Sequence, residues 1–361
     1  MVAHFQPPVP MCYGGANIQI EQIDPLTGGV WDSLVRVLPD YSVFHLSAWA
    51  RILAETYQHK PIYLRVWVDG AVAALVPLIE VRSAITGRRG VSLPFADFAG
   101  PLWIDPRQGS LVYQALIGVA EERKWKHLEL RGGMAPAVGA ACLRTYHAHE
   151  LNLSCGISQL MGRFPASTRR SIRKAERSGL TITVSFDSLS MLEFYQLHCR
   201  TRRRHGLPPQ PIEFFQAICR HLIDPGLGAI VLARHAGRVI AGAVFFHSDC
   251  RAIYKFGASD KGHWDVRPNH DVMWTAIQYL ALIGCRSLHF GRTSNDDTGL
   301  IRFKKSWASA DGILSYFRYH RGKLAWIADA KCPSESFPSV FGHLPLAINR
   351  IAGRLIYPHL D

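Results

Sequence analysis

The sequence predicts an α/β (α+β) fold, two similar halves in tandem followed by a helical tail, and three observations carry that reading. Two runs of alternating apolar residues each turn back at a dipeptide ending in glycine, Asp69-Gly70 and Ala236-Gly237, which is a strong hairpin signal. Each hairpin stands in the same order of elements: helices before it, a strand after it, then a helix and a last strand. The 361 residues, 48% of them hydrophobic, suffice for two cores, because single cores stop growing beyond about 250–300 residues.

In the first half, "WARILAETYQH" reads as helix, "IYLRVWVDGAVAALVPLIEVRS" as the hairpin and "RGVSLPF" as a strand, then "GSLVYQALIGVAEERKW" as helix and "HLELR" as strand. The second half repeats this with the helices "MLEFYQLHCRTRRRHG" and "IEFFQAICRHLI", the hairpin "GAIVLARHAGRVIAGAVFFHS", the strand "RAIYKFGAS", the helix "HDVMWTAIQYLALIG" and the strand "SLHFGR". Gly133, Pro136 and Gly139 mark a linker. The expected domains are 1–150, then a basic, catalytic 151–320, then a tail, 321–361, whose amphipathic "AINRIAGRLI" packs on the body, against the reading that it lies on a membrane. The stretch "IRFKKSW", residues 301–307, is read as the end of a strand.

Eight cysteines without a C-x-x-C pair argue against a zinc site or disulfide scaffold and for a reducing, cytoplasmic setting. The N-terminal stretch lacks a basic start followed by an apolar core, so it does not read as a signal peptide. No apolar run approaches the ~18 residues of a membrane span. Lys+Arg against Asp+Glu count 13 and 13 over 1–150, 23 and 12 over 151–320, and 5 and 3 over 321–361. Thus +11 of the net +13 lies in the central segment, which suits a polyanionic partner; the competing reading is a charge excess that only aids solubility.

In "FPASTRRSIRKAERSGL", Pro165 and Ser167 suit a helix start and Gly179 a stop. At 100° per residue Arg169, Arg170, Arg173, Lys174 and Arg177 fall in an arc of about 140°, opposite Ile172 and Ala175. A one-sided cationic helix suits a phosphate backbone, against the plainer reading of a solvated face. The four arginines of "CRTRRRHGLPPQP" either grip phosphate or offset a helix dipole. The dispersed histidines form no H-x-x-x-H, and there is no G-x-S-x-G, so no metal, cofactor or hydrolase triad is expected. After "YKFGAS", where an acyl-CoA enzyme needs a Gly-rich turn to cradle pyrophosphate, the chain reads "DKGHWDVRPNHDVMW", with Gly262 its one glycine.

The chain resembles the FemAB-like branch of the GNAT superfamily in "RRSIRKAERSGL", "LHCRTRRRHGLPPQPIEFF", "YKFGAS", "RPNHDVMW" and above all "LHFGRTSNDDTGLIRFKKSW"; in the first half "LPFADFAGPLWID" and "HLELRGG" resemble its N-terminal signature. The resemblance implies two GNAT-like domains with a cleft between them, and transfer of an amino acid from aminoacyl-tRNA, or of another activated acyl group, to an amine. It places the lysine that stabilises the tetrahedral intermediate at Lys304, substrate-phosphate contacts at Thr201 and Arg203, and a pocket-lining tyrosine at Tyr254. Asn269, Arg292, Phe303 and Trp307 join them as substrate-binding residues. Asp97 is expected to orient or deprotonate the acceptor amine, against the plainer reading of a loop carboxylate capping a turn. Departures are the lack of a charged helical-hairpin insertion, Ala308 in place of a glycine, and Ala99-Gly100 in place of Gly-Gly.

The leading expectation is a cytoplasmic FemAB-like transferase forming an amide on an amine of a cell-envelope, polysaccharide or peptide intermediate. Its alternatives are a GNAT-type N-acyltransferase using acyl-CoA or acyl-carrier protein in exopolysaccharide synthesis, and a non-enzymatic nucleic-acid-binding module. Strand alternation would point Lys304 inward and Lys305 outward, against the reading that both lysines lie over aromatic surface.

Overall fold

A computed structural model of the chain describes residues 9–13, 15–307, 309–328 and 339–360; Ala308 and residues 329–338 of the expected tail lie outside them. The described chain forms two units: residues 9–146 with 314–328 and 358–360, and residues 147–313 with 339–357. The expected boundaries near 150 and 320 therefore shift, and the first unit regains chain after the second. The cause is hydrogen bonding, because residues 316–320 pair with the last strand of the first half.

The first unit runs β1 (Val9–Tyr13), β2 (Ala16–Ile23), α1 (Val30–Arg36), α2 (Ser47–Tyr57), β3 (Lys60–Val68), β4 (Ala71–Ser83), β5 (Gly87–Val91), β6 (Leu102–Trp103), α3 (Gly109–Glu122) and β7 (His127–Arg131). After β8 (Arg144–Asn152), the second continues with α4 (Ile157–Arg163), α5 (Ala166–Glu176), β9 (Thr181–Ser185), α6 (Ser188–Arg204), α7 (Ile212–Ile218), β10 (Gly228–His235), β11 (Arg238–Ser248), β12 (Arg251–Ser259), α8 (Pro268–Leu282), β13 (Ser287–His289) and α9 (Thr298–Lys305). β14 (Ala310–His320), β15 (Ala325–Trp326) and α10 (Leu346–Ile356) close the chain.

The two units repeat one ladder. In the first, β2, β3, β4 and β5 pair antiparallel in turn and β5 pairs parallel with β7 across α3. In the second, β9 to β12 pair antiparallel in turn and β12 pairs parallel with β13 across α8. Both hairpins turn where the sequence places them: Asp69 and Gly70 have φ of 48° and 80°, Ala236 and Gly237 of 48° and 77°. Two successive positive φ values match the twist of the flanking strands. Each parallel pair is backed by its crossover helix, α3 over Leu64, Val76 and Leu128, and α8 over Val231, Phe245 and Leu288.

The tail helix belongs to the second unit. Asn349 donates from Nδ2 to the Leu207 carbonyl, and the Tyr357 hydroxyl donates to that of Pro208. A Cβ on Gly353 would overlap the Pro209 carbonyl, so α10 lies close only because that position is bare.

Candidate active site

The stretch 301–307 is not a strand. Residues 298–305 form α9, started by Asp297, whose carboxylate accepts from the Leu300 amide at 2.9 Å. Leu300, Phe303, Lys304 and Trp307 are spaced as one face of a helix, and that face, not strand alternation, turns Lys304 in. Its side chain is 2% exposed, and Nζ donates to the carbonyls of Gly291 at 3.1 Å and Arg292 at 3.2 Å. Lys305, one residue or ~100° on, is exposed and pairs with Asp311 at 2.8 Å. The expected division into a buried and a surface lysine thus arises from a different geometry.

The loop that receives Lys304 is held on both sides. Phe290 donates its amide to the His149 carbonyl, and His147 and Thr293 exchange backbone hydrogen bonds at 2.9 Å. His149 is fully buried, with Nε2 3.3 Å from an Asp311 carboxylate oxygen. Burial pushes its pKa down; Asp311 opposes this and the Lys304 charge adds to it. A neutral imidazole beside Lys304 spares the buried ammonium a second positive charge.

Aromatic side chains close around the lysine helix. Trp307, fully buried, packs on Phe164 at 5.2 Å, His270 at 5.9 Å and Phe303 at 6.0 Å between ring centres. Burial, and then the Arg267 guanidinium, lowers the pKa of His270 to about 4, so it is neutral at pH 7. Tyr254 packs on Phe290, next to Gly291, at 6.5 Å, and burial raises its pKa to about 12. It is aimed by a bulge: Val244 faces Phe256 and Phe245 faces Tyr254, leaving Lys255 as the extra residue on β12. A Cβ on Gly257 would overlap the Tyr254 hydroxyl, so this glycine makes room for the ring. The Thr168 hydroxyl of α5 donates to the Ser306 carbonyl at 2.9 Å, which fastens the basic helix to the end of α9.

Residues 162–305 match the acetyltransferase (GNAT) domain family. The lipid II:glycine glycyltransferase of Staphylococcus aureus is 32% identical over 79 residues, 20% of this chain and 19% of that relative. The match spans about a fifth of the relative's length. FemX superposes with a TM-score of 0.62 at 16% identity, over 82% of this chain and 96% of its own. The family match is thus to the GNAT domain over residues 162–305, and the likeness to FemX is one of fold. Two further structures share the fold: the tandem GNAT protein from the clavulanic acid pathway, with a TM-score of 0.53 at 10% identity over 83% and 98% of the chains, and the L-PGS of Bacillus licheniformis, with 0.53 at 12% over 91% and 97%.

The expected residues divide into groups. Lys304, Arg292, Tyr254, Phe303 and Trp307 share one neighbourhood of the second unit, and half-buried Asn269 adjoins it beside His270 in the first turn of α8. Thr201 is buried, and its hydroxyl exchanges hydrogen bonds with the Ser259 backbone at 3.3 and 3.2 Å, tying α6 to the end of β12. Arg203 is half-buried, and among the described residues no hydrogen bond or ion pair holds its side chain. Its neighbours are engaged: Arg202 reaches the Pro208 carbonyl and the Tyr357 hydroxyl, and Arg204 the Ser259 carbonyl. Asp97 lies in the first unit, 8% exposed, with its carbonyl accepting from the Tyr316 hydroxyl at 2.6 Å.

On α5, Thr168, Ile172 and Ala175 are buried while Arg170, Arg173, Lys174 and Arg177 are exposed. Among the described residues none of these four cations makes an ion pair or side-chain hydrogen bond. Arg169 differs, because its Nη1 donates to the carbonyls of Gly162 and Phe164 at 3.0 Å. It closes the end of α4, so the cationic face consists of the other four residues. Where an acyl-CoA enzyme needs a glycine cradle, residues 261–266 form a 3-10 turn with Trp264 under the Arg204 guanidinium, and α8 starts after a left-handed Arg267.

Proposed function

We propose that this chain is a FemAB-like aminoacyl transferase that moves an aminoacyl group from an activated ester, carried by tRNA, to an amine on a cell-envelope intermediate. The observation that carries the reading is Lys304, a buried cation with its ammonium fixed on two backbone carbonyls. Attack of the amine lone pair on the ester carbonyl forms the C–N bond and puts negative charge on the former carbonyl oxygen. A preorganised cation in a site shielded from water stabilises that charge far better than water does. Collapse expels the ribose oxygen, which takes up the proton the amine loses. Asn269, Arg292 and Tyr254 are the residues proposed to position the two substrates around that centre.

The four cations of α5, without an ion pair among the described residues, support a phosphate-rich donor, because Thr168 fastens their helix to the helix of Lys304. The bulky turn at 261–266 weighs against acyl-CoA, since it offers no row of glycine amides for a pyrophosphate. The acceptor reading follows the lipid II named for the Staphylococcus relative. Analysis of what the purified protein retains tests the donor: RNA bearing a hydroxylamine-labile aminoacyl ester supports the reading, and bound coenzyme A overturns it.

A further inference from the structure

The helix α10 is mounted with its apolar side outward. Asn349, Gly353 and Tyr357 recur every four residues and are the positions it buries. On the opposite side Ile348, Ile351 and Leu355 are 50%, 60% and 65% exposed, and at 100° per residue they fall within about 60° of one another. A helix that packs for its own stability buries such a stripe; this one docks through an amide, a bare glycine and a tyrosine hydroxyl. The ridge therefore has a use for its exposure. Residues 346–356 also carry Arg350 and Arg354 and no acidic residue. Arg350 lies over the Tyr195 ring and Arg354 pairs with Glu213 at 3.3 Å, so both guanidinium groups hug the docked side and leave the ridge apolar.

We propose that this ridge seats the protein on an anionic phospholipid bilayer, with Ile348, Ile351 and Leu355 entering the level between headgroups and acyl chains. An apolar ridge on a strongly basic protein suits interfacial attachment, which gains from apolar burial and from attraction to anionic lipid. Charge decides between this occupant and a second copy of the chain. Two copies would bring together net charges of +13 each, whereas an anionic surface is complementary to that charge. A ridge of three side chains gives weak, reversible attachment, which suits an enzyme that must also meet a soluble donor. The inference rests on the proposed envelope-bound acceptor, yet its vesicle assay needs neither substrate.

The full chain is sedimented with vesicles of equimolar phosphatidylglycerol and phosphatidylcholine at low salt. Wild type is expected in the pellet, to remain in solution with phosphatidylcholine alone, and to be released by salt. Ile348→Ser, Ile351→Ser and Leu355→Ser together should lower partitioning by roughly tenfold or more with an unchanged melting temperature and unchanged turnover on a water-soluble amine. If the triple variant melts early, Ile351→Glu alone carries the same test. Equal partitioning of variant and wild type overturns the proposal, as does a wild-type dimer in sedimentation equilibrium that the substitutions dissociate. Failure of the transferase reading would leave vesicle binding intact, and failure of vesicle binding would leave turnover on the soluble amine intact.

Discussion

Replacing Lys304 by Met keeps the length of the side chain and deletes its charge. Loss of one group that stabilises a developing oxyanion costs about 3–4 kcal/mol, or ~10²–10³ in rate. There is also a stability cost. Nζ satisfies the Gly291 carbonyl, which is buried, and the Arg292 carbonyl, on a half-buried residue. An orphaned buried acceptor costs roughly 1–3 kcal/mol, so one full loss and part of a second amount to about 2–4 kcal/mol. At ~2–4 °C per kcal/mol for a unit of this size, the melting temperature should drop by about 5–15 °C. The assay is therefore single-turnover transfer from charged tRNA well below the variant's melting point, scaled by the folded fraction. Lys305→Met removes an exposed pair with Asp311, both side chains about half exposed, worth at most ~1 kcal/mol, and its turnover should stay within about threefold of wild type. Equal losses from the two substitutions, after that scaling, would refute a transition-state role for Lys304.

Reversing Arg170, Arg173, Lys174 and Arg177 to Glu should weaken tRNA binding and lower the salt slope by roughly 0.7–0.9 for each phosphate that is no longer neutralised, with little change in melting; Arg169→Ala should do the opposite, loosening the end of α4. Unchanged tRNA affinity in the fourfold variant removes the donor argument. Gly257→Ala should displace Tyr254 and lower turnover while Tyr254→Phe preserves the ring; full activity of Gly257→Ala would separate Tyr254 from the site. Stability should fall as pH drops from 7 towards 5. Burial lowers His127 and His198 to about 3 and His270 to about 4, so between those values and the ordinary 6.5 the unfolded chain binds up to three more protons. Asp271, raised by burial to about 6, acts in the other direction: the folded state holds its proton from about 6 down to the ordinary 3.8. The balance is about two protons, or on the order of 2–3 kcal/mol per pH unit near pH 5. Denaturant unfolding across that range should show this slope, and His270→Gln should flatten it by about half; a flat profile contradicts the assigned protonation states.

The repeated plan was legible because hairpin turns and helix periodicity are local. Asp69-Gly70 and Ala236-Gly237 need only their own positive φ values, and α5 announces its buried and cationic sides by spacing alone. The lysine stretch misleads for an equally local reason: Phe303 and Trp307 raise strand propensity, while the deciding signal, Asp297 capping Leu300, sits upstream of residues 301–307. His149 carried no signal, since β8 acquires its meaning only from pairing with β13, and the 3.3 Å approach to Asp311 joins positions far apart in sequence. Thr201 shows the limit of a motif. Spacing identifies the residue, but not that its hydroxyl is bound to the Ser259 backbone.

The donor is the point on which the functional reading turns. Wild-type protein is mixed with tRNA charged with a labelled amino acid, with and without an amine acceptor, and in parallel with labelled acyl-CoA. The expected result is discharge of the tRNA only when the amine is present, with the label recovered in a hydroxylamine-resistant amide, and no transfer from acyl-CoA. Transfer from acyl-CoA with the aminoacyl-tRNA left intact would contradict the reading of Lys304 and the α5 face as parts of one aminoacyl-transfer site.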